Sequence, residues 1–253
     1  MGKKFKEYYD SDCAKLLSQK ILKVTNNFAS NEFIDHISRN IVDKEFSERQ
    51  EIFAGAFESF IDGDYEDKIS VFFKILGPEL EKPEGMFTDG WWLWPIGKYV
   101  ELYGVKNPKL SLEFIYEMTK RFTGEFAMRP LISENPKKTL EVVLKWSKDK
   151  NVHVRRLSSE CMRIRLPWAK KSLSAVSEFE LYKKILSNLK DDKEKFVQKS
   201  VGNNLNDLMK ENSTLANQII SEWENSNPGK ETLWIIKHGK RSMNKKPKYG
   251  QRK

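Results

Sequence analysis

Apolar residues recur at helical spacing along nearly the whole chain. Ala14, Leu17, Ile21 and Val24 form a first stripe that ends near Asn26 and Asn27. Phe33, Ile34, Ile37 and Ile41 begin a second. Intervals of three and four residues place side chains on one face of a helix, whereas a half-buried strand needs strict alternation. Ser47 is the expected N-cap of a third helix, with Phe53, Ala56, Phe57 and Phe60 as its buried face and Gly63 at its end. Ile69, Phe72, Phe73 and Leu76 predict a fourth, closed by Gly77 and Pro78. Residues 77–90, rich in Gly, Pro and acids, read as a loop. Trp91, Trp92 and Trp94 follow, and most of them are expected to pack between helices. Ile96, Tyr99, Val100 and Tyr103 continue as a helix to Gly104, and Leu112, Ile115, Met118 and Phe122 make the next after Pro108. Gly124 separates it from a helix starting at Glu125, and Pro136 opens another at the favoured first-turn position. Further helices are expected near 178–190, 194–211, 213–226 and 230–243.

The helices also repeat. Asp149 followed by Val154-Arg155-Arg156 opens one, and Asp192 followed by Val197-Gln198-Lys199 opens another 43 residues later. A period in the 40–47 range is that of HEAT-type helical repeats. The expected fold class is therefore all-α, a curved solenoid of HEAT-like repeats with a basic concave groove. A four-helix bundle is the structural competitor, but there are too many helices for one.

Composition narrows the class. Hydrophobic residues make up 39% of the 253 positions and charged residues 32%, which suits a folded domain and not a disordered chain. No apolar run approaches the roughly 18 residues of a membrane span. The start lacks the apolar core of a signal peptide, and Lys6 stands where a myristoylation signal needs Ser or Thr. Cys13 and Cys161 are far apart and no Cys/His cluster exists, so a cytoplasmic setting without structural zinc is expected. The net charge of +9 is uneven. Residues 1–90 carry 12 Lys/Arg against 18 Asp/Glu, and the remainder 33 against 18. The later part of the chain is thus suited to a polyanion.

Residues 152–171, VHVRRLSSECMRIRLPWAKK, concentrate the candidate chemistry. They hold Arg155, Arg156, Arg163, Arg165, Lys170 and Lys171 with one acid, Glu160. Val154, Leu157, Cys161 and Ile164 predict a helix to about Ile164, with Arg156, Glu160 and Arg163 on a neighbouring stripe. Pro167 ends any helix and Trp168 follows it. A solvated basic face neutralised by Glu160 is the plainer reading of this segment taken alone. In 194–211, Val197, Val201, Leu205 and Leu208 face the core beside a polar stripe of Lys199, Asn203, Asn206 and Asp207. The 43-residue shift overlays Lys199 on Arg156 and Asn203 on Glu160. Glu125 starts a helix of the preceding repeat, with Arg129 one turn on.

A carboxylate in a groove made for phosphates weakens binding unless something cationic is held there. An N3- or N7-alkylated purine is such a cation, and breaking its glycosidic bond develops positive charge on the sugar. A fixed carboxylate stabilises that charge and orients water. Trp168 would add cation–π attraction of roughly 1–2 kcal/mol to a desolvated cationic base. No dinucleotide fingerprint, P-loop or HExxH is present, and His36, His153 and His238 are too scattered for a metal site.

At these residues the chain resembles the HEAT-like-repeat alkylpurine DNA glycosylases, the AlkC/AlkD group, and is closer to the AlkC branch. The segments that carry the resemblance are TGEFAMRPLI (123–132), HVRRLSSECMRIRLPWA (153–169) and VGNNLNDLMKEN (201–212), with TLWIIKHGKR (232–241) as a weaker fourth. GWWLWPIGKYVELYG (90–104) fits the helix before the active-site repeats. The resemblance implies a monofunctional glycosylase, without metal or organic cofactor, that releases cationic bases such as N3-methyladenine from duplex DNA. It puts Glu125, Glu160 and Asp207 at the active-site acids and Trp168 at the active-site aromatic. Arg129, Arg156, Arg163, Arg165, Lys199, Asn203, Asn206, Lys237, His238 and Arg241 would then face the DNA backbone or support the acids.

The expected organisation is one repeat domain over 1–243, acidic helices in 1–90 and DNA-binding and active-site repeats in 91–243, then a flexible basic tail over 244–253. The expected state is a monomer with no membrane partner, lacking the immunoglobulin-like domain that some AlkC-branch members carry. Met162, Ile164 and Gly202 depart from the family's pattern, Gly202 by interrupting a helix. The alternative from another class is a non-catalytic HEAT scaffold that binds nucleic acid or an acidic protein. It explains the charge and the repeats equally well, but not acids kept within basic stripes.

Overall fold

A computed structural model describes residues 4–243, and the basic tail over 244–253 lies outside the described residues. The described residues hold thirteen α-helices joined by turns and short 3-10 segments, with one isolated bridge between Phe28 and Ile61. None of these helices is long and apolar enough to cross a membrane. Contacts group the chain into two compact units that divide between Glu134 and Asn135.

The first unit contains α1 (Ser11–Leu22), α2 (Ser30–Asn40), α3 (Phe46–Phe60), α4 (Tyr65–Ile75), α5 (Trp94–Tyr103), α6 (Pro108–Thr119) and α7 (Glu125–Glu134). Helices α3, α5 and α7 pack in one row, and α4 against α6 in another. Helix α3 starts one residue before the expected cap. Glu45 is the N-cap, and its own N–H donates to Glu48 at 2.9 Å. Gly63 and Gly77 take φ of 92° and 77°, left-handed values that punctuate the chain after α3 and α4. Trp92 and Trp94 are buried as expected of a packing cluster. The Trp94 ring lies within 6 Å of Phe5, Phe46, Phe122 and Phe126.

The second unit contains α8 (Pro136–Trp146), α9 (Val152–Glu160), α10 (Phe179–Asn188), α11 (Lys195–Glu211), α12 (Ser213–Glu224) and α13 (Lys230–Gly239). Here α11 packs between α9 and α13, and α8 against α10. The 43-residue period is visible in bonds. Asp149 Oδ1 accepts from the N–H of Asn151, and Asp192 Oδ1 from that of Glu194. Arg155 Nη1 donates to the carbonyls of Asp149 and Lys150, and Gln198 Nε2 to those of Asp192 and Lys193. Each pair of positions differs by 43, so the two turns are built alike. Arg155 also joins them, its Nε donating to Asp192 Oδ2 at 2.6 Å.

Two sequence expectations change. Helix α9 ends at Glu160, four residues before Ile164. Cys161 caps it, and Met162 and Ile164 are buried from turns. Gly202 does not interrupt α11, which runs unbroken through it. A Cβ there would stand 2.8 Å from Cδ2 of His238, so its missing side chain makes room for α13.

Candidate active site

The site in the second unit begins at the end of α9. Glu160 is buried there, and both of its oxygens are bonded. Oε1 accepts from Arg163 Nη1 at 3.0 Å and faces Arg156 Nη2 at 3.5 Å. Oε2 accepts from the Ser200 hydroxyl at 2.6 Å. Ser200 in turn accepts from Ser159 Oγ at 2.7 Å. Burial pushes the Glu160 carboxyl up, but Arg156, Arg163 and Ser200 outweigh it and hold it below the usual carboxylate range.

Arg163 links this acid to the next. Its Nε donates to Asp207 Oδ2 at 3.1 Å, and its Nη2 to the Arg165 carbonyl at 3.2 Å. Asp207 is buried on α11, and its Oδ2 also accepts the backbone N–H of Arg165 at 3.2 Å. One guanidinium thus serves two buried carboxylates. A planar fork of donors in fixed directions suits this arrangement, one nitrogen facing each acid. Arg156, Glu160, Arg163 and Asp207, singled out from two repeats, meet in one network.

Beyond Arg165 the chain turns at Pro167 and presents Trp168. This indole is 71% exposed with a φ of 63°. A left-handed conformation is uncommon for a bulky residue and is held in place by surrounding contacts. Arg165 itself is exposed, its Nη2 donating to Glu211 at 3.1 Å.

A second cluster lies where α11 meets α13. Asn203 Oδ1 accepts from Arg241 Nη2 at 2.9 Å and stands 3.2 Å from His238 Nε2. Burial lowers the His238 pKa, and the charges of Arg241, Lys195 and Lys199 lower it further. The ring is therefore mainly neutral at neutral pH. It stacks on Trp234 at 4.8 Å, and the ammonium of Lys195 lies over that indole at 3.0 Å. Lys199 and Lys237 are exposed. Asn206 is buried and committed at both ends, its Nδ2 to the Gly239 carbonyl at 2.7 Å and its Oδ1 to Ser242 at 3.1 Å. It ties α11 to the end of α13.

Glu125 and Arg129 belong to the first unit. Glu125 is buried as the first residue of α7, where the positive end of the helix favours a carboxylate, and it accepts a hydrogen bond from the Thr123 hydroxyl. Arg129 is half-buried and lowers the pKa of Glu101, which burial raises overall.

Sequence reasoning passed over Ser159, Ser200, Asn204, Tyr182 and Glu211. Asn204 is fully buried, donating to the carbonyls of Ser159 and Ser200 and accepting from Tyr182. The signal for it was present. Ser200 and Asn204 fall at 197 + 3 and 197 + 7, inside the apolar stripe of α11, where a polar residue must find a buried partner.

Comparison with known proteins bears out the likeness to the AlkC/AlkD group and the all-helical class. Residues 123–243 match the family described as DNA alkylation repair enzyme. Over 148 residues the chain is 40% identical to the uncharacterized protein YhaZ of Bacillus subtilis, covering 58% of this chain and 41% of that one. The structure of Pseudomonas fluorescens alkylpurine DNA glycosylase AlkC, bound to DNA containing an abasic site analog, superposes with a TM-score of 0.83 at 28% identity. It covers 96% of this chain and 65% of its own. AlkD2 from Streptococcus mutans shares the fold with a TM-score of 0.54 at 19% identity, over 84% of this chain and 100% of its own. This chain spans less than two thirds of YhaZ and of AlkC.

Proposed function

We propose, from a chain whose residues 123–243 match the family described as DNA alkylation repair enzyme, that it is a DNA glycosylase hydrolysing the N-glycosidic bond of cationic alkylated bases of the N3-methyladenine type in duplex DNA. The observation that carries this reading is the pair of buried carboxylates, Glu160 and Asp207, held by Arg163. Burying two acids costs several kcal/mol each before pairing, and apolar residues of similar volume often serve stability as well or better. Their presence in the basic part of the chain favours a task in which fixed negative charge is useful.

In that task the C1′–N bond breaks and its electron pair leaves with the base, which departs neutral. Positive charge develops on the sugar. Asp207 stabilises it and orients a water that attacks C1′; the water's proton is released and an abasic site remains. Glu160 holds Arg163 in place, and Arg163 fixes the Asp207 carboxylate. Trp168 stacks near the cationic base. Lys199, Lys237 and Arg241 serve the phosphates, and Glu125 keeps the role of active-site acid that the resemblance implies. The protein acts as a monomer and no step requires a metal or cofactor.

The test is release of N3-methyladenine from methylated duplex DNA. Asp207→Asn is expected to lower the single-turnover rate by about 10²–10³-fold with an unchanged helical spectrum. Unchanged release would remove Asp207 from the mechanism. Binding without any release by the unaltered chain would favour the scaffold reading instead.

A further inference from the structure

Trp168 stands midway between two cations, Arg165 three residues before it and Lys171 three after. Both reach the same carboxylate. Arg165 Nη2 donates to Glu211 Oε2 at 3.1 Å, and Lys171 Nζ donates to Glu211 Oε1. The side chains of Arg165 and Lys171 are 48% and 46% exposed, whereas that of Glu211 is 18% exposed. The carboxylate therefore lies beneath the two cations. Glu211 is the last residue of α11 and stands one turn beyond Asp207, on the same face. The loop is thus fastened to α11 at three points: its Arg163–Arg165 stem on Asp207, and each flank of Trp168 on Glu211.

We infer that Glu211 is the clasp of the Trp168 loop, a positioning residue that pins Arg165 and Lys171 together so that the indole is presented in one geometry. Two flanks held at one point leave the residues between them few conformations, which lowers the entropy lost when the loop meets a ligand. A left-handed tryptophan persists only where its surroundings fix it. For its kinetic consequence the inference rests on the glycosylase reading.

Two plainer roles for Glu211 differ from this one in sign. An idle surface ion pair contributes little, so its removal changes neither binding nor rate. A carboxylate that merely opposes DNA phosphates would, once removed, tighten binding without slowing chemistry. Removing a clasp does both things at once. It frees two cations for phosphates and leaves the indole poorly placed.

The experiment uses the full chain carrying Glu211→Gln, with undamaged duplex for affinity and methylated duplex at saturating enzyme for single-turnover excision. The expected result is unchanged or tighter binding with excision slower by roughly tenfold, the scale of a small misplacement. Glu211→Asp keeps the charge with a shorter reach and is expected to recover wild-type affinity and part of the rate. An excision rate in Glu211→Gln equal to or above that of the unaltered protein would overturn the inference. Hydrogen exchange at the hydrogen-bonded backbone amides of Arg165, Ala169 and Ser172 gives a readout independent of catalysis. It is expected to quicken in Glu211→Gln, and unchanged exchange would also overturn the clasp. If the unaltered chain releases no base, the glycosylase reading fails while hydrogen exchange still decides the clasp.

Discussion

The interiors of the two units differ in emphasis. In the first, aromatic rings fill the interior. Phe57 lies 5.5 Å from Phe33 and 5.1 Å from Phe72, and Phe72 lies 5.3 Å from Tyr99. Most of these rings need no polar partner and gain from every contact. In the second, an apolar core of Val197, Val201, Leu205 and Leu208 adjoins a buried network of Ser159, Glu160, Arg163, Ser200, Asn204 and Asp207. Such a network is favourable only when every member is satisfied, because the surroundings that strengthen each bond also penalise each orphan. The first arrangement is the cheaper way to make a stable helical unit. The second requires long-range precision, since Arg163 meets Asp207 across 44 residues. Under the proposed function, the contrast directs attention to the network of the second unit for chemistry.

The strongest test of the contrast removes the residue on which the network turns. Arg163→Met keeps the volume of the side chain but leaves Glu160 and Asp207 buried without their shared cation. A loss of about 3–5 kcal/mol is expected from urea unfolding. Excision should fall with it even at temperatures where the variant remains folded. A Met variant as stable as the native protein would mean that the two acids do not depend on the guanidinium.

Phe57→Ala is the counterpart in the first unit. Removing a fully buried ring costs about 3–5 kcal/mol through lost transfer energy and the cavity left behind. The stability loss should resemble that of Arg163→Met, whereas excision per folded molecule should stay near the native value. Comparable catalytic defects in the two variants would dissolve the division of labour between the units.

Much of this was legible in the sequence because helical periodicity and punctuation are local. Most of the stripes from Ala14 to Leu208 became helices, and Gly63, Gly77, Pro108 and Pro136 mark boundaries close to where the composition put them. Arg156, Glu160, Arg163 and Asp207 were legible for another reason: charges on a stripe beside the apolar face must either reach solvent or meet one another. The end of α9 was misread because Ile164 continues the apolar spacing although the backbone has already turned. Periodicity reports which side chains are buried, and a buried turn can satisfy it. Gly202 was misread because helix propensity carries no information about a neighbour's ring. Glu211 was passed over because it looks like any exposed acid at a helix end. Its significance comes from Arg165 and Lys171, 46 and 40 residues away, and contacts at that range follow from tertiary packing.

The smallest expected effect concerns Ser200, whose hydroxyl reaches one oxygen of Glu160. Glu160 has its pKa depressed in the folded protein, the effect of Arg156, Arg163 and Ser200 exceeding that of burial. A depressed carboxylate contributes stability that is complete above the unfolded value of about 4.3 and is lost as pH falls through the folded value. Ser200→Ala removes one donor, so the folded pKa should rise toward the unfolded one. The variant should then be less stable than the native protein by about 1–2 kcal/mol at neutral pH. The difference should narrow as the pH falls below the variant's folded value and through the lower native one, because only below the latter do both folded proteins carry Glu160 protonated. Urea unfolding between pH 3 and 7 measures it. A deficit that stays constant over that range would assign Ser200 to packing alone, and the second unit would then resemble the first more closely than its buried charges imply.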